Sequence, residues 1–220
     1  LPRNIIQCLE DYDIPLYLSH TVTDIHGDTR LTGVTVSQVD EHLQPIPGTE
    51  KKYDCDTLIL SVGLLPDNKL TRAAGIEIDP HTRGAYVDEF MQTEIPGVFS
   101  AGNVLHVHDL VDFVSMEAEH LARCAAKYVQ GEELPACEIG IQPAAGVGHT
   151  IPQAVSGEND FQLSLRVRDH YGDCRIVVKQ DGREVAVKRM KKAIPAEMIQ
   201  FQVKADKIVG KNALEVSVEC

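Results

Sequence analysis

Four things are missing from this 220-residue chain: an excess of positive charge, a paired Cys-x-x-Cys, an apolar run of membrane-spanning length, and a Gly-x-Gly-x-x-Gly turn. Lys and Arg number 21 against 33 Asp and Glu, a net charge of −12. Non-specific nucleic-acid binding needs clustered cations to neutralise phosphates, so it is not expected. The six cysteines, at 8, 55, 124, 137, 174 and 220, show neither pairing nor regular spacing. They read as ordinary thiols of a reducing compartment, and disulfide exchange is not expected. With no membrane-length run and no basic-then-apolar leader, the expectation is a soluble, cytoplasmic protein. A complete dinucleotide-binding fold uses Gly-x-Gly-x-x-Gly to bring backbone amides onto a pyrophosphate, and no such turn occurs here. The chain opens Leu1-Pro-Arg-Asn4 without an initiator Met, as a piece of a longer protein would.

The length suits one large domain or two modest ones, and two are preferred. Asn4 to Glu10 reads as the tail of a helix. Ile14 to Ile25 reads as extended, His26-Gly-Asp28 as a turn, and Leu31 to Val39 as the second arm of a β-hairpin. The loop Asp40 to Lys52, with two prolines and Gly48, reads as a crossing between domains. Thr57-Leu-Ile-Leu-Ser-Val62 is continuously apolar, as in a parallel strand covered on both faces, and Gly63 and Pro66 end it. One or two helical turns follow between Asn68 and Ala74, then strand and turn to Gly84 and a further piece at Ala85 to Asp88.

The central stretch is Thr93-Glu-Ile-Pro-Gly-Val-Phe-Ser-Ala-Gly-Asn-Val104. Val98 to Ala101 is too short for a helix and follows a Pro-Gly turn, so it reads as a buried strand. Gly102 permits a positive φ and close approach of a ligand, and Asn103 can hold a sugar or phosphate oxygen. An amphipathic helix follows to about Gln130, its apolar face carried by Val114, Ala118, Leu121, Ala122, Ala125 and Val129, with Gly131 as the stop. A strand, a Gly turn and a helix N-terminus make a cradle for an electron-rich group.

Beyond Gly131, residues 132–160 read as a linker by composition. Phe161-Gln-Leu-Ser-Leu-Arg-Val-Arg168 alternates strictly, with Phe161, Leu163, Leu165 and Val167 on one face. Arg175 to Lys188 reads as a hairpin turning at Asp181-Gly182, which sets Lys179 opposite Glu184, Val178 opposite Val185 and Ile176 opposite Val187. Met198 to Val203 and Leu214 to Val218 complete five strands, suggesting a small β-sandwich.

Ser61-Val-Gly-Leu-Leu-Pro66 and Phe99-Ser-Ala-Gly-Asn103, in this order, resemble two motifs of the FAD-dependent pyridine nucleotide-disulfide oxidoreductases, the thioredoxin-reductase-like flavoproteins. The resemblance covers about the first three-fifths of the chain. It implies an α/β fold: a partial FAD/NAD(P)-binding Rossmann-like fragment followed by the β-sandwich. Residues 1–52 would be a remnant of the NAD(P)H-binding domain, 53–131 the C-terminal part of the FAD-binding domain, 132–160 the linker and 161–220 the β-rich domain. Both nucleotide fingerprints are then expected upstream. The implied cofactors are FAD and NAD(P)H in the full-length protein, and the implied cofactor contacts are Gly63, Gly102, Asn103, Asp109, Val111 and Asp112. Asn103 stands where the family usually has Asp, keeping hydrogen-bonding capacity without the charge. No redox Cys-x-x-Cys is present, so disulfide reduction is not implied.

Other readings stand beside these. Asp109 and Asp112 suit the capping of the helix start, with water-holding near a flavin edge as the alternative. His106 and His108 have no third Cys, His or carboxylate at metal-ligand spacing, so no metal is expected and they read as polar loop residues beside the cofactor. Lys188-Arg-Met-Lys-Lys192 reads as a solvated sheet edge. None of the cysteines reads as a nucleophile. The expected function is a fragment, inactive alone, of a flavoprotein passing hydride from NAD(P)H to FAD and on to an unidentified small-molecule or protein acceptor. The alternative is a non-catalytic docking module acting through the β-rich tail within a multi-subunit complex. Other subunits or a homo-oligomer stay open as partners; nucleic acid and membrane do not.

Overall fold

A computed structural model describes residues 3–220. The chain divides into two compact units, Leu1–Gly63 and Leu64–Cys220. It has few helices and several sheets, in keeping with the expected mixed α/β class.

The first unit holds α1 (Arg3–Asp11) and an antiparallel sheet in the order β1 (His20–His26), β2 (Gly33–Gln38), β3 (Lys51–Tyr53). The expected hairpin forms, with Ile25 opposite Val34 and Val22 opposite Val36 around an irregularity at Thr23. The loop 40–52 does not lead out of the sheet. Its end is β3, which pairs back onto β2 with Tyr53 opposite Val34. The apolar run 57–62 forms no strand, and Ile59 and Val62 are each 85% exposed. A parallel strand needs ladder partners to satisfy its backbone, and among the described residues nothing pairs with this run.

The second unit is organised around a β-sandwich. One sheet has the order β10 (Ile199–Val203), β7 (Phe161–Val167), β5 (Val147–Ile151). The other has the order β6 (Ala154–Val155), β4 (Ile139–Pro143), β11 (Leu214–Glu219), β8 (Cys174–Gln180), β9 (Arg183–Met190). The alternation in β7 works as expected: Phe161, Leu163, Leu165 and Val167 are all buried and share one core with Ile141, Ile176, Val178, Leu214 and Val216 of the facing sheet. The segment 132–160 is not the linker its composition suggests, because β4, β5 and β6 lie within it and extend both sheets.

The β8–β9 hairpin keeps its expected register only beside the turn. Lys179 faces Glu184, but a bulge between Val178 and Lys179 then sets Val178 opposite Ala186, Val177 opposite Val187 and Ile176 opposite Lys188. The extra residue, Val185, is thereby turned into the core at 2% exposure. β9 is an edge strand, consistent with its run of cations as a solvated edge.

Packed on the sandwich is a smaller core of Ile76, Ala85, Val87, Met91, Leu105 and Ile151, with Ile95 and Leu121 against it. It is carried by the segment after α2 (Lys69–Ala73), two isolated bridges (Ile78 with Ala85, Gln92 with Phe99), the residue following a 3-10 turn (Gly102–Val104), α3 (Val111–Val129) and the end of β5. Val98 to Ala101 is therefore one arm of a bridged turn and not a sheet strand. Gln153 joins this part to the sandwich. Its side chain accepts the Val87 N–H at 2.9 Å and donates to Asp79 at 2.8 Å, and its backbone bonds Val87 and Ile141.

α3 ends as expected: Gly131 N–H bonds the Tyr128 carbonyl and Glu132 N–H that of Lys127. Its inward face differs from expectation. Of the expected stripe, Val114, Leu121 and Ala125 are half-buried while Ala118, Ala122 and Val129 are exposed, and Phe113, Glu117, His120 and Cys124 are also buried or half-buried. The stripe keeps helical spacing but is interrupted by a Glu and a His, whose partners lie on other segments.

Candidate cofactor site

The turn Gly102–Val104 is set by its backbone. Gly102 has φ of 77°, and its carbonyl accepts from the N–H groups of Leu105 and His106 at 2.9 and 3.2 Å. A Cβ there would lie 3.7 Å from Val114, an ordinary contact, so the demand for glycine comes from the left-handed conformation. Gly84 is required for a different reason: a Cβ at that position would fall 1.8 Å from the Leu105 carbonyl oxygen. Asn68, 4% exposed, donates to the carbonyls of Arg83 and Val104 at 2.9 and 2.8 Å and holds the same loop from below.

Glu117 is the centre of the polar arrangement. One carboxylate oxygen accepts the Gly102 N–H at 2.6 Å, and the other lies 2.8 Å from His106 Nε2 and 3.3 Å from His108 Nε2. Both His side chains are about 1% exposed and that of Glu117 7%. Burial alone would raise the Glu117 carboxyl, but hydrogen bonds from His106 and His108, the charge of His106 and the Gly102 N–H outweigh it and bring it down to about 2. The expectation that His106 and His108 have no third donor near them is thus corrected: Glu117 arrives from α3, at a spacing that no sequence pattern for ligands covers. The sequence did carry a signal, since a Glu at core positions of a helix needs a partner.

Asn103 is exposed, and its Oδ1 accepts the His108 backbone N–H at 3.1 Å and lies 3.3 Å from His108 Nδ1. Asp109 does not cap α3. Its carboxylate pairs with Arg166 of β7 and accepts the Met198 N–H at 2.5 Å, while Arg166 also donates to the carbonyls of Val107 (2.9 Å) and Pro195 (3.1 Å). The N-cap position of α3 is Leu110, and no side chain caps it; Val111 and Asp112 are exposed in the first turn. The Phe113 N–H bonds the Leu110 carbonyl at 3.2 Å, and the amides of Val111 and Asp112 stay available to another acceptor. Gly63 closes the first unit at φ of 87° with open space around it, so it is described apart from Gly102, Asn103, Asp109, Val111 and Asp112, which all lie in the second unit within one loop and helix start.

Residues 3–127 match the family model described as pyridine nucleotide-disulphide oxidoreductase. The chain belongs to this family. Among curated family relatives, an NADH oxidase of Streptococcus pneumoniae is 27% identical over 204 residues, covering 80% of this chain and 41% of that protein. A benzene 1,2-dioxygenase system ferredoxin–NAD(+) reductase subunit of Pseudomonas putida is 28% identical over 162 residues, covering 71% of this chain and 39% of that protein. Among solved structures, T. acidophilum thioredoxin reductase is 25% identical with a TM-score of 0.45, over 59% of this chain and 40% of the other. The chain thus spans about two-fifths of the length of these two relatives.

Membership makes this chain part of an NAD(P)H-linked flavoprotein oxidoreductase family. Three features fit a flavin nucleotide: the positive-φ Gly102, the exposed carboxamide of Asn103, and the uncapped start of α3. Asp109 fits less well, because both of its oxygens are already engaged. No helix among the described residues is long and apolar enough to cross a membrane.

Proposed function

We propose that this chain supplies the C-terminal part of the FAD site of an oxidoreductase that takes hydride from NAD(P)H. The observation that carries the reading is the uncapped first turn of α3 directly after the Gly102-Asn103 turn. When bound, the flavin accepts a hydride and stores two electrons for an acceptor. The chain's own residues bind and orient. With Asn103 Oδ1 committed to His108, its Nδ2 is left as the donor, suited to a ribityl or phosphate oxygen. The amides of Val111 and Asp112 offer the positive end of the helix to the edge of the ring on which negative charge gathers. Glu117 positions Gly102 through its N–H, so the turn is held before any ligand arrives. Asp109 is reassigned from cofactor contact to anchoring, and Gly63 remains a proposed contact.

The activity is proposed for the longer protein in which these elements meet a first FAD strand and a Gly-x-Gly-x-x-Gly turn, the chain alone being inactive. A cytoplasmic location is part of the same proposal. The alternative of a free docking module rests on independence of the β-rich tail, and the ties from Arg166, Gln153 and Asp109 speak against that independence. The test is an anaerobic absorbance spectrum of the full gene product. A flavin band bleached by NADH or NADPH supports the reading and names the donor; a colourless protein, or a flavin that ignores both, overturns it.

A further inference from the structure

We propose that His106, His108 and Glu117 form a binding site for a first-row divalent metal ion of the zinc class, which locks the Gly102–His108 loop onto α3. The donor atoms of the three side chains lie within 4.8 Å of one another, and the Nε2 atoms of both imidazoles face the same carboxylate oxygen. Two imidazoles and a carboxylate make a donor set for Zn2+ or Fe2+ rather than for Ca2+ or Mg2+.

The hydrogen-bond pattern supplies the reason for a cation. Asn103 Oδ1 accepts the backbone N–H of His108, which fixes its amide orientation, so the contact from His108 Nδ1 to the same oxygen requires a proton on Nδ1. His108 Nε2 then either donates to the Glu117 carboxylate 3.3 Å away, which makes the ring doubly protonated, or turns its lone pair towards it, an acceptor facing an acceptor. A metal ion between them removes this conflict, and Asn103 becomes the outer partner that orients a ligating His. At His106 the same change moves the proton from Nε2 to Nδ1. That atom is buried without a partner, as is Nε2 of His149, whose ring lies 6.0 Å away edge-on. Three protein ligands leave a position for water, and the burial of the side chains favours a locking role over an open one.

The competing arrangement is a doubly protonated His108 paired with Glu117, which needs no ion. The 220-residue chain, stripped with chelator, is dialysed against Zn2+, and bound metal and thermal midpoint are measured; Co2+ is used in parallel for its visible spectrum. The expected result is one ion per chain, a raised midpoint and a Co2+ ligand-field band. His108→Gln should abolish all of these, and Asn103→Ala should weaken binding by roughly 10–100-fold. If His108→Gln fails to fold, X-ray absorption of the Zn2+-loaded wild type decides, with two imidazoles and one carboxylate expected in its shell. No bound metal, metal retained in folded His108→Gln, or a shell lacking these ligands overturns the proposal. None of these readouts requires a flavin, so they stand apart from the cofactor reading.

Discussion

Arg166 of β7 reaches out of the sandwich to the Asp109 carboxylate, so that the loop before α3 is fastened to a strand 57 residues further along the chain. The same guanidinium holds the Val107 and Pro195 carbonyls, and the second Asp109 oxygen holds the Met198 N–H. The candidate cofactor loop is thus a shared structure of two sequence regions.

Replacing Arg166 with Met should leave these acceptors unpaired while keeping much of the side-chain volume. The expected destabilisation is about 2–3 kcal/mol, read as a lower urea midpoint at unchanged m-value. An unchanged midpoint would mean that the loop is held elsewhere.

Glu117→Ala removes the acceptor of the Gly102 N–H and leaves two buried imidazoles facing a void. A loss of about 3–5 kcal/mol is expected. Glu117→Gln keeps an oxygen for Gly102 and should cost less than half as much. Equal losses in the two variants, compared by chemical denaturation in chelator, would show that charge and not the Gly102 bond dominates.

Burial lowers the His149 imidazole to about 4 from an ordinary 6.5, helped by the positive charges of His106 and Arg166 and opposed by Asp79. The folded value lies below the unfolded one, so this contribution to stability is fully present above pH 6.5 and is lost as pH falls through 4. Its size is on the order of 2–3 kcal/mol. Stability measured with chelator present should fall between pH 6.5 and 4, and His149→Phe should flatten that limb.

Gly84→Ala places a methyl group against the Leu105 backbone, which cannot yield as a flexible side chain does. A cost of about 3 kcal/mol or more is expected. In the full-length protein the displaced loop should also weaken flavin retention. A variant with wild-type stability would show that the loop moves freely.

Local rules determined a definable part of this protein. The period-two pattern of Phe161 to Val167, the Asp181-Gly182 turn, the Gly131 stop and the Gly102-Asn103 turn after Phe99 were all legible, because each depends on residues within one turn or one strand. The family motifs were legible for the same reason. Tertiary structure decided the rest. Whether Thr57 to Val62 becomes a strand depends on partners, not on its own apolar character. The bulge at Val178 depends on the core that Val185 enters, so the register set by the turn does not persist beyond it. The site itself joins Gly102 and His106 to Glu117, and Asp109 to Arg166, across separations at which side-chain periodicity carries no information. A buried Glu in the sequence announces that a partner is needed; only the fold, by packing α3 against the loop, selects which one.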